Sequence, residues 1–161
     1  MSDTAPSATG PVRKHITVRA SQRTAFEVFT GSMATWWNPE HHIGEKDFVD
    51  VVAEPRVGGR WFERDAEGTE CQWGSVRVWS PYDQVVLAWQ LDAGYAFDPG
   101  LVTEVDVRFV REGPTTTRVE LEHRGFGEYG ADAGQVRGAM DSPNGWSGLL
   151  SRFAEALTSE G

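Results

Sequence analysis

Cysteine is almost missing from this sequence: among 161 residues Cys71 stands alone. An intrachain disulfide and a cysteine-based structural zinc site are thereby excluded, and a reducing, cytoplasmic setting is the expectation. Long hydrophobic runs are missing as well, since no segment approaches the roughly 18 apolar residues of a membrane span. The first residues lack the charged start, apolar run and small-residue cleavage site of a secretory signal, so a soluble chain without membrane insertion is expected. Positive charge is in deficit, with 15 Lys and Arg against 24 Asp and Glu for a formal net charge of -9. No basic cluster interrupts that balance, which disfavours nucleic acid and anionic membrane surfaces as partners. The common catalytic and phosphate-binding signatures are absent too. Ser142, Ser147 and Ser151 sit in no Gly-x-Ser-x-Gly elbow, and neither a P-loop nor a dinucleotide fingerprint follows Gly58-Gly59, so no cofactor is implied.

What the sequence does contain is hydrophobic and aromatic substance enough for one domain: 39% apolar and 11% aromatic residues, seven of them tryptophan. Residues 1–11, rich in Ser, Thr, Ala, Pro and Gly, are expected to form a flexible tail, and 12–161 a single domain. Alternation from Val12 to Val18 predicts a strand, and Ser21 then caps a helix carrying Ala25, Phe26, Val28 and Phe29 on its inner side. A second short helical turn is expected over Met33 to Trp37, ended by Asn38-Pro39. Six further stretches have strand composition: Phe48 to Glu54, Gly59 to Arg64, Thr69 to Trp79, Gln84 to Leu91, Thr103 to Arg111 and Thr116 to Arg124. The turns between them are short, which implies antiparallel neighbours. After Gly145, Trp146, Leu149, Leu150, Phe153 and Leu157 recur at helical spacing and predict a closing helix with a wide apolar stripe. The fold class is α+β: a strongly twisted seven-stranded antiparallel sheet around one long C-terminal helix, a geometry expected to leave a cavity.

Strand parity selects the residues that would face such a cavity. Val119, Leu121 and His123 share one face, as do Val105, Val107 and Phe109, and Val85, Leu87, Trp89 and Leu91. On the preceding strand Gly74, Val76 and Val78 are expected inside. That leaves Trp73 and Trp79 in the opposite phase, through either a bulge or an exposed aromatic patch used in self-association as a homodimer. The expected cavity residues are Trp36, Phe48, Val76, Leu87, Trp89, Val107, Leu121, His123, Trp146, Leu149 and Phe153, with Trp36 and Trp37 both at the mouth. His123 is the candidate acid or base, weighed against a buried histidine satisfied by its neighbours. Tyr129 and Glu63 are its candidate helpers, and Glu63 with Arg64 otherwise reads as a surface pair. Glu40, His41, His42, Glu45 and Asp47 form the densest set of ligand-type residues, but adjacent histidines in a loop diverge, so no metal is expected. Cys71 reads as a small buried hydrophobe.

Several segments in fixed order carry a family resemblance: Val57-Gly58-Gly59-Arg60-Trp61, Trp73-Gly74-Ser75-Val76, Leu87-Ala88-Trp89, Thr117 to Phe126, and Gly145-Trp146 with Leu149, Leu150 and Phe153. From about Val12 to Leu157 the chain resembles START-like (SRPBCC) proteins, in particular the small bacterial branch similar to the C-terminal domain of the activator of the heat-shock-protein-ninety ATPase. The resemblance implies a helix-grip fold with a hydrophobic cavity between sheet and C-terminal helix. The function expected is binding of a hydrophobic small molecule, as carrier or sensor. A cyclase, aromatase or hydrolase type of enzyme using His123 is the alternative, and an interaction or co-chaperone-like module a third reading. Catalysis is not the favoured expectation, because parity brings only one ionisable group inward.

Overall fold

Alternating apolar residues form the first strand, β1 (Val12–Val18), and Ser21 then caps helix α1 (Gln22–Gly31), its hydroxyl accepting from the Thr24 amide. The structure, a computed structural model, describes residues 9–160, so the expected tail lies almost wholly outside the described residues. A 3-10 turn (Met33–Thr35) and a loop lead into β2 (Phe48–Ala53), β3 (Arg60–Asp65), β4 (Glu70–Ser80), β5 (Gln84–Trp89), β6 (Thr103–Gly113) and β7 (Thr116–Arg124). The seven strands make one antiparallel sheet in the order β1-β7-β6-β5-β4-β3-β2. The sheet is a meander from β2 to β7 with β1 returning to the far edge. It curls around the closing helix, α3 (Trp146–Glu160), in the helix-grip arrangement.

Inward residues follow the expected parity on three strands. Val85, Leu87, Val105, Val107, Phe109, Val119, Leu121 and His123 are all buried, and Phe153 of α3 packs edge-on to Phe29 of α1 at 5.2 Å. The outer face carries ion pairs such as Arg13 with Glu122 and Arg124 with Asp106. Exposed pairs such as Arg13 with Glu122 contribute little to stability, whereas Asp106 is buried and needs the Arg124 partner.

Strand β4 departs from simple alternation at two bulges. Pairing with β3 steps from Trp61↔Gly74 to Phe62↔Gln72, leaving Trp73 as the extra residue and turning its ring into the core, where it is 1% exposed. Pairing with β5 steps from Val76↔Leu87 to Val78↔Val86, so Val78 turns outward at 37% exposure. Val78 therefore does not belong to the inner row. Beyond that bulge Trp79 pairs with Val85 and its ring packs on Phe26 at 5.1 Å. The phase shift explains both tryptophans and removes the aromatic patch that would have favoured self-association. Gly74 sits where the strands crowd: a Cβ there would collide with the Ala88 carbonyl.

Between β7 and α3 lies a helical stretch for which the sequence reading had no element. A 3-10 segment (Phe126–Asp132), kinked at Gly130, runs into α2 (Ala133–Asp141). Phe126, Tyr129, Ala133, Val136 and Met140 are its buried residues. Their spacing alternates between three and four, a helical stripe that four interspersed glycines obscure. Gly145 lets α3 start directly against the end of α2, because a Cβ would strike the Met140 carbonyl. Substituting Gly74→Ala should destabilise the fold by about 1–3 kcal/mol through overpacking. Urea unfolding monitored by tryptophan fluorescence measures this, and a variant as stable as wild type would contradict the crowding.

Candidate functional site

A buried histidine must find partners for both ring nitrogens, and His123 finds them on two different elements. The Trp146 indole N–H donates to Nδ1 at 3.0 Å, and Nε2 lies 2.9 Å from the Thr103 hydroxyl. Because Nδ1 accepts, Nε2 carries the proton and donates to Thr103 Oγ1, which in turn donates to the Trp89 carbonyl at 2.9 Å. The relay Trp146, His123, Thr103, Trp89 is complete. Burial alone pushes the imidazole from its ordinary 6.5 down to about 3. Tyr129 is engaged similarly: its hydroxyl donates to the Leu91 carbonyl at 2.7 Å, and burial pushes the phenol up to about 12.

Beside the Trp146 end of this relay the fold opens into a recess of about 340 Å³. Four indoles wall it: Trp37 from the 3-10 turn, Trp73 and Trp89 from the sheet, and Trp146 from α3. The rings pack on one another, with Trp37 at 4.8 Å from Trp73, 5.7 Å from Trp146 and 6.4 Å from Trp89. Leu91, Met140 and Leu149 complete the apolar lining, while Glu40, His41, Tyr95 and Asn144 stand at the rim. Such a recess offers stacking faces with polar groups confined to one end.

The wall formed by the loop after Trp37 is held from below by Glu63. This carboxylate is 2% exposed and accepts from the Ile43 amide at 2.6 Å, the Gly44 amide at 3.2 Å and the Trp73 indole at 2.9 Å. It is a buried anchor rather than the surface pair expected from sequence, and Arg64 instead pairs with Glu70 at 2.9 Å. Trp37 fastens the same loop by donating to the His41 carbonyl at 3.0 Å. His42 is held within the loop, with Nδ1 at 2.8 Å from the Gly44 carbonyl and Nε2 at 3.3 Å from Asp47. His41 differs: its ring makes no hydrogen bond among the described residues. Burial lowers its pKa below 6.5, opposed by Glu40 and reinforced by Arg152. Among the described residues no three His, Cys, Asp or Glu side chains gather into a group that would hold a metal. Cys71 is half-buried, its thiol pushed up by burial and away from a reactive thiolate.

Of the residues selected by parity, Trp89, Trp146 and Leu149 line the recess. Trp36, Val76, Leu87, Val107, Leu121, His123 and Phe153 are buried within the packed core, and Phe48 is half-buried at the edge strand. Trp37, and not Trp36, faces the recess; Trp36 packs on Phe29 at 4.6 Å and Phe153 at 5.8 Å. Trp73, His41, Tyr95, Met140 and Asn144 were not selected, and each reaches the recess through a bulge, a loop or the α2–α3 junction, where period-two counting has no purchase.

Fold and recess together define a helix-grip domain of the START-like (SRPBCC) kind. Within that class, residues 19–158 match the family described as Activator of Hsp90 ATPase homolog 1-like protein, and the chain belongs to it. Among solved structures it is similar to Txn09, an anthrahydroquino-gamma-pyrone synthase complexed with SUM, at 38% identity over 91% of this chain and 96% of that one, with a TM-score of 0.65. It is also similar to CalC, a self-sacrificing resistance protein from Micromonospora echinospora, at 32% identity over 96% and 98% of the two chains, with a TM-score of 0.68. DynU16, a putative protein in the dynemicin biosynthetic locus, shares the fold at 17% identity over 96% of this chain and 49% of that one, with a TM-score of 0.60. No match is found among curated proteins. No helix among the described residues is long and apolar enough to cross a membrane.

The relay carries a pH signature. Unfolded, His123 binds a proton below about 6.5; folded, it stays neutral down to about 3. Between those values the unfolded state holds the extra proton, so His123 lowers stability as pH falls, by at most about 1.4 kcal/mol per unit. His123→Leu should flatten that part of the pH dependence relative to wild type, while losing stability at pH 7 through the stranded Trp146 donor and the lost bond to Thr103 Oγ1. Urea unfolding of both proteins between pH 7 and 5 measures the difference, and parallel curves would refute it. Glu63→Gln should weaken the hold on the loop by about 1–3 kcal/mol. Its measure is faster hydrogen exchange at the Ile43 and Gly44 amides, and unchanged exchange at both would contradict the anchor.

Proposed function

We propose that this protein binds a flat, hydrophobic small molecule in the indole-walled recess, acting as a carrier or sensor. The observation that carries this reading is the meeting of Trp37, Trp73, Trp89 and Trp146 around one opening of about 340 Å³, large enough for a fused-ring body. Indole faces of this kind attract planar aromatic ligands through area burial and stacking, with little demand for directional contacts. Two relatives above 30% identity support the reading from another side. One is a synthase whose name describes an anthrahydroquino-gamma-pyrone, and the other is a resistance protein.

Catalysis on the same bound molecule is the second reading, favoured by the 38% identity to that synthase. On this reading His123 is not the working base. Its two ring nitrogens are spent on Trp146 and Thr103, and it lies behind the recess rather than in its lining.

Titration of the full chain with 9,10-anthraquinone should quench tryptophan fluorescence and raise the melting temperature, as linkage requires of a ligand that binds only the folded state. Met140→Trp, which fills the recess from its α2 side, should abolish both effects while remaining folded. The reading is overturned if no planar polycyclic probe shifts the wild type. Mass spectrometry of any natural ligand after incubation separates the two uses: recovered unchanged for a carrier, converted for an enzyme.

A further inference from the structure

The rim of the recess is chemically lopsided. Its floor and walls are indole and aliphatic, and at the open end His41 presents a ring with no hydrogen-bond partner among the described residues. The backbone around it is nevertheless fixed: the His41 amide donates to the Asn38 carbonyl at 2.9 Å, and its carbonyl accepts from Trp37 at 3.0 Å. A positioned imidazole without a partner offers an acceptor nitrogen and a donor nitrogen to whatever enters. Its charged neighbours are Glu40 and Arg152, which oppose one another.

Tyr95 stands at the same rim from the β5–β6 connection. Its φ of 64° puts a bulky residue in the left-handed region, where an L side chain is strained. Asp92 enforces this conformation: its carboxylate accepts from the Gly94 amide at 2.8 Å and the Ala96 amide at 3.0 Å, and its carbonyl accepts from the Tyr95 amide at 2.9 Å. The ring is held at the mouth with 49% of its surface exposed. A glycine would relieve the backbone here, so the tyrosine ring is carried at the rim at a conformational cost.

We propose that His41 and Tyr95 select the ligand by class: a planar aromatic molecule carrying a hydroxyl group at one edge, its rings between the indoles and Tyr95, its hydroxyl hydrogen-bonded to His41. The inference rests on the reading of the recess as a ligand pocket and deepens it. A hydroxyl donates to the acceptor nitrogen of a neutral imidazole, and a methyl group in its place leaves that nitrogen uncovered as water is displaced.

The test uses 2-naphthol and 2-methylnaphthalene, which share one ring system and differ only in the edge group, titrated into the full chain at pH 7.5 by tryptophan fluorescence. His41→Ala should weaken 2-naphthol by about three- to tenfold, the range of a partly exposed hydrogen bond, and leave 2-methylnaphthalene unchanged. Tyr95→Gly should weaken both compounds by the same factor while raising the melting temperature or leaving it unaltered. An equal effect of His41→Ala on the two compounds overturns the hydroxyl assignment and leaves the pocket reading standing. A loss on Tyr95→Gly confined to 2-naphthol, or no loss at all, overturns the role given to Tyr95. If the wild type binds neither compound nor any larger planar probe, the pocket reading itself fails and the selection with it.

Discussion

Everything at the recess end of this molecule depends on the obligation of a fully buried imidazole to satisfy both nitrogens. His123 lies on β7, Thr103 and Trp89 on the adjoining β6 and β5, and Trp146 at the first residue of α3. One chain of hydrogen bonds therefore ties three neighbouring strands to the start of the closing helix. A slip of one residue in any of the three strands would point a donor at nothing, at a cost comparable to losing the bond and desolvating the group besides. The relay fixes where α3 begins over the sheet, and with it the position of Trp146 as the back wall of the recess. Neutral histidine suits this task, since it supplies one donor and one acceptor at opposite ends of a rigid ring.

A second buried polar group completes the frame. Glu63 reaches inward from β3 and collects three N–H donors, two from the loop that forms the outer wall and one from Trp73. An unpaired carboxylate at 2% exposure would be prohibitive, so the loop cannot leave without stranding it. The two anchors divide the labour: His123 positions the helix side of the recess, Glu63 the loop side. Between them the indoles pack in tilted and edge-to-face contacts, and the N–H groups of Trp37, Trp73 and Trp146 serve as the fasteners. The buried Trp36 indole N–H has no hydrogen-bond partner among the described residues.

The architecture was legible in the residues because it rests on two periods. Alternation marked β1, strand composition between turn signals marked the other six strands, and the stripe from Trp146 to Leu157 marked the closing helix. The inner faces of β5, β6 and β7 followed from parity alone, as did the inward position of His123. What escaped was local. The bulge at Trp73 inverts parity for a single residue, and a bulge has no composition of its own that a period can register. The segment from Phe126 to Asp141 hid behind glycines at 127, 130, 134 and 138, although its apolar spacing was present. Glu63 stayed open between an inward helper and a surface pair, because nothing in its neighbourhood predicts two amide donors arriving from a loop some twenty residues earlier and an indole from the next strand.

These omissions share a cause that bears on how the fold is used. Val107, Leu121 and Phe153 are buried in the core away from the recess, whose lining joins Trp73 and Trp89 of the sheet to Trp146 and Leu149 of α3. The opening that persists lies where elements end: at the loop after Trp37, the β5–β6 connection and the α2–α3 junction. Those segments answer to turn chemistry and single hydrogen bonds, so they can change without disturbing the sheet. A rigid frame with a variable rim lets one fold serve different ligands. It also explains how chains only 32–38% identical to this one can keep its architecture while one is a synthase and the other a resistance protein. His41 and Tyr95 belong to that rim: their backbones are held by Trp37 and Asp92, and both residues are exposed among those that line the opening.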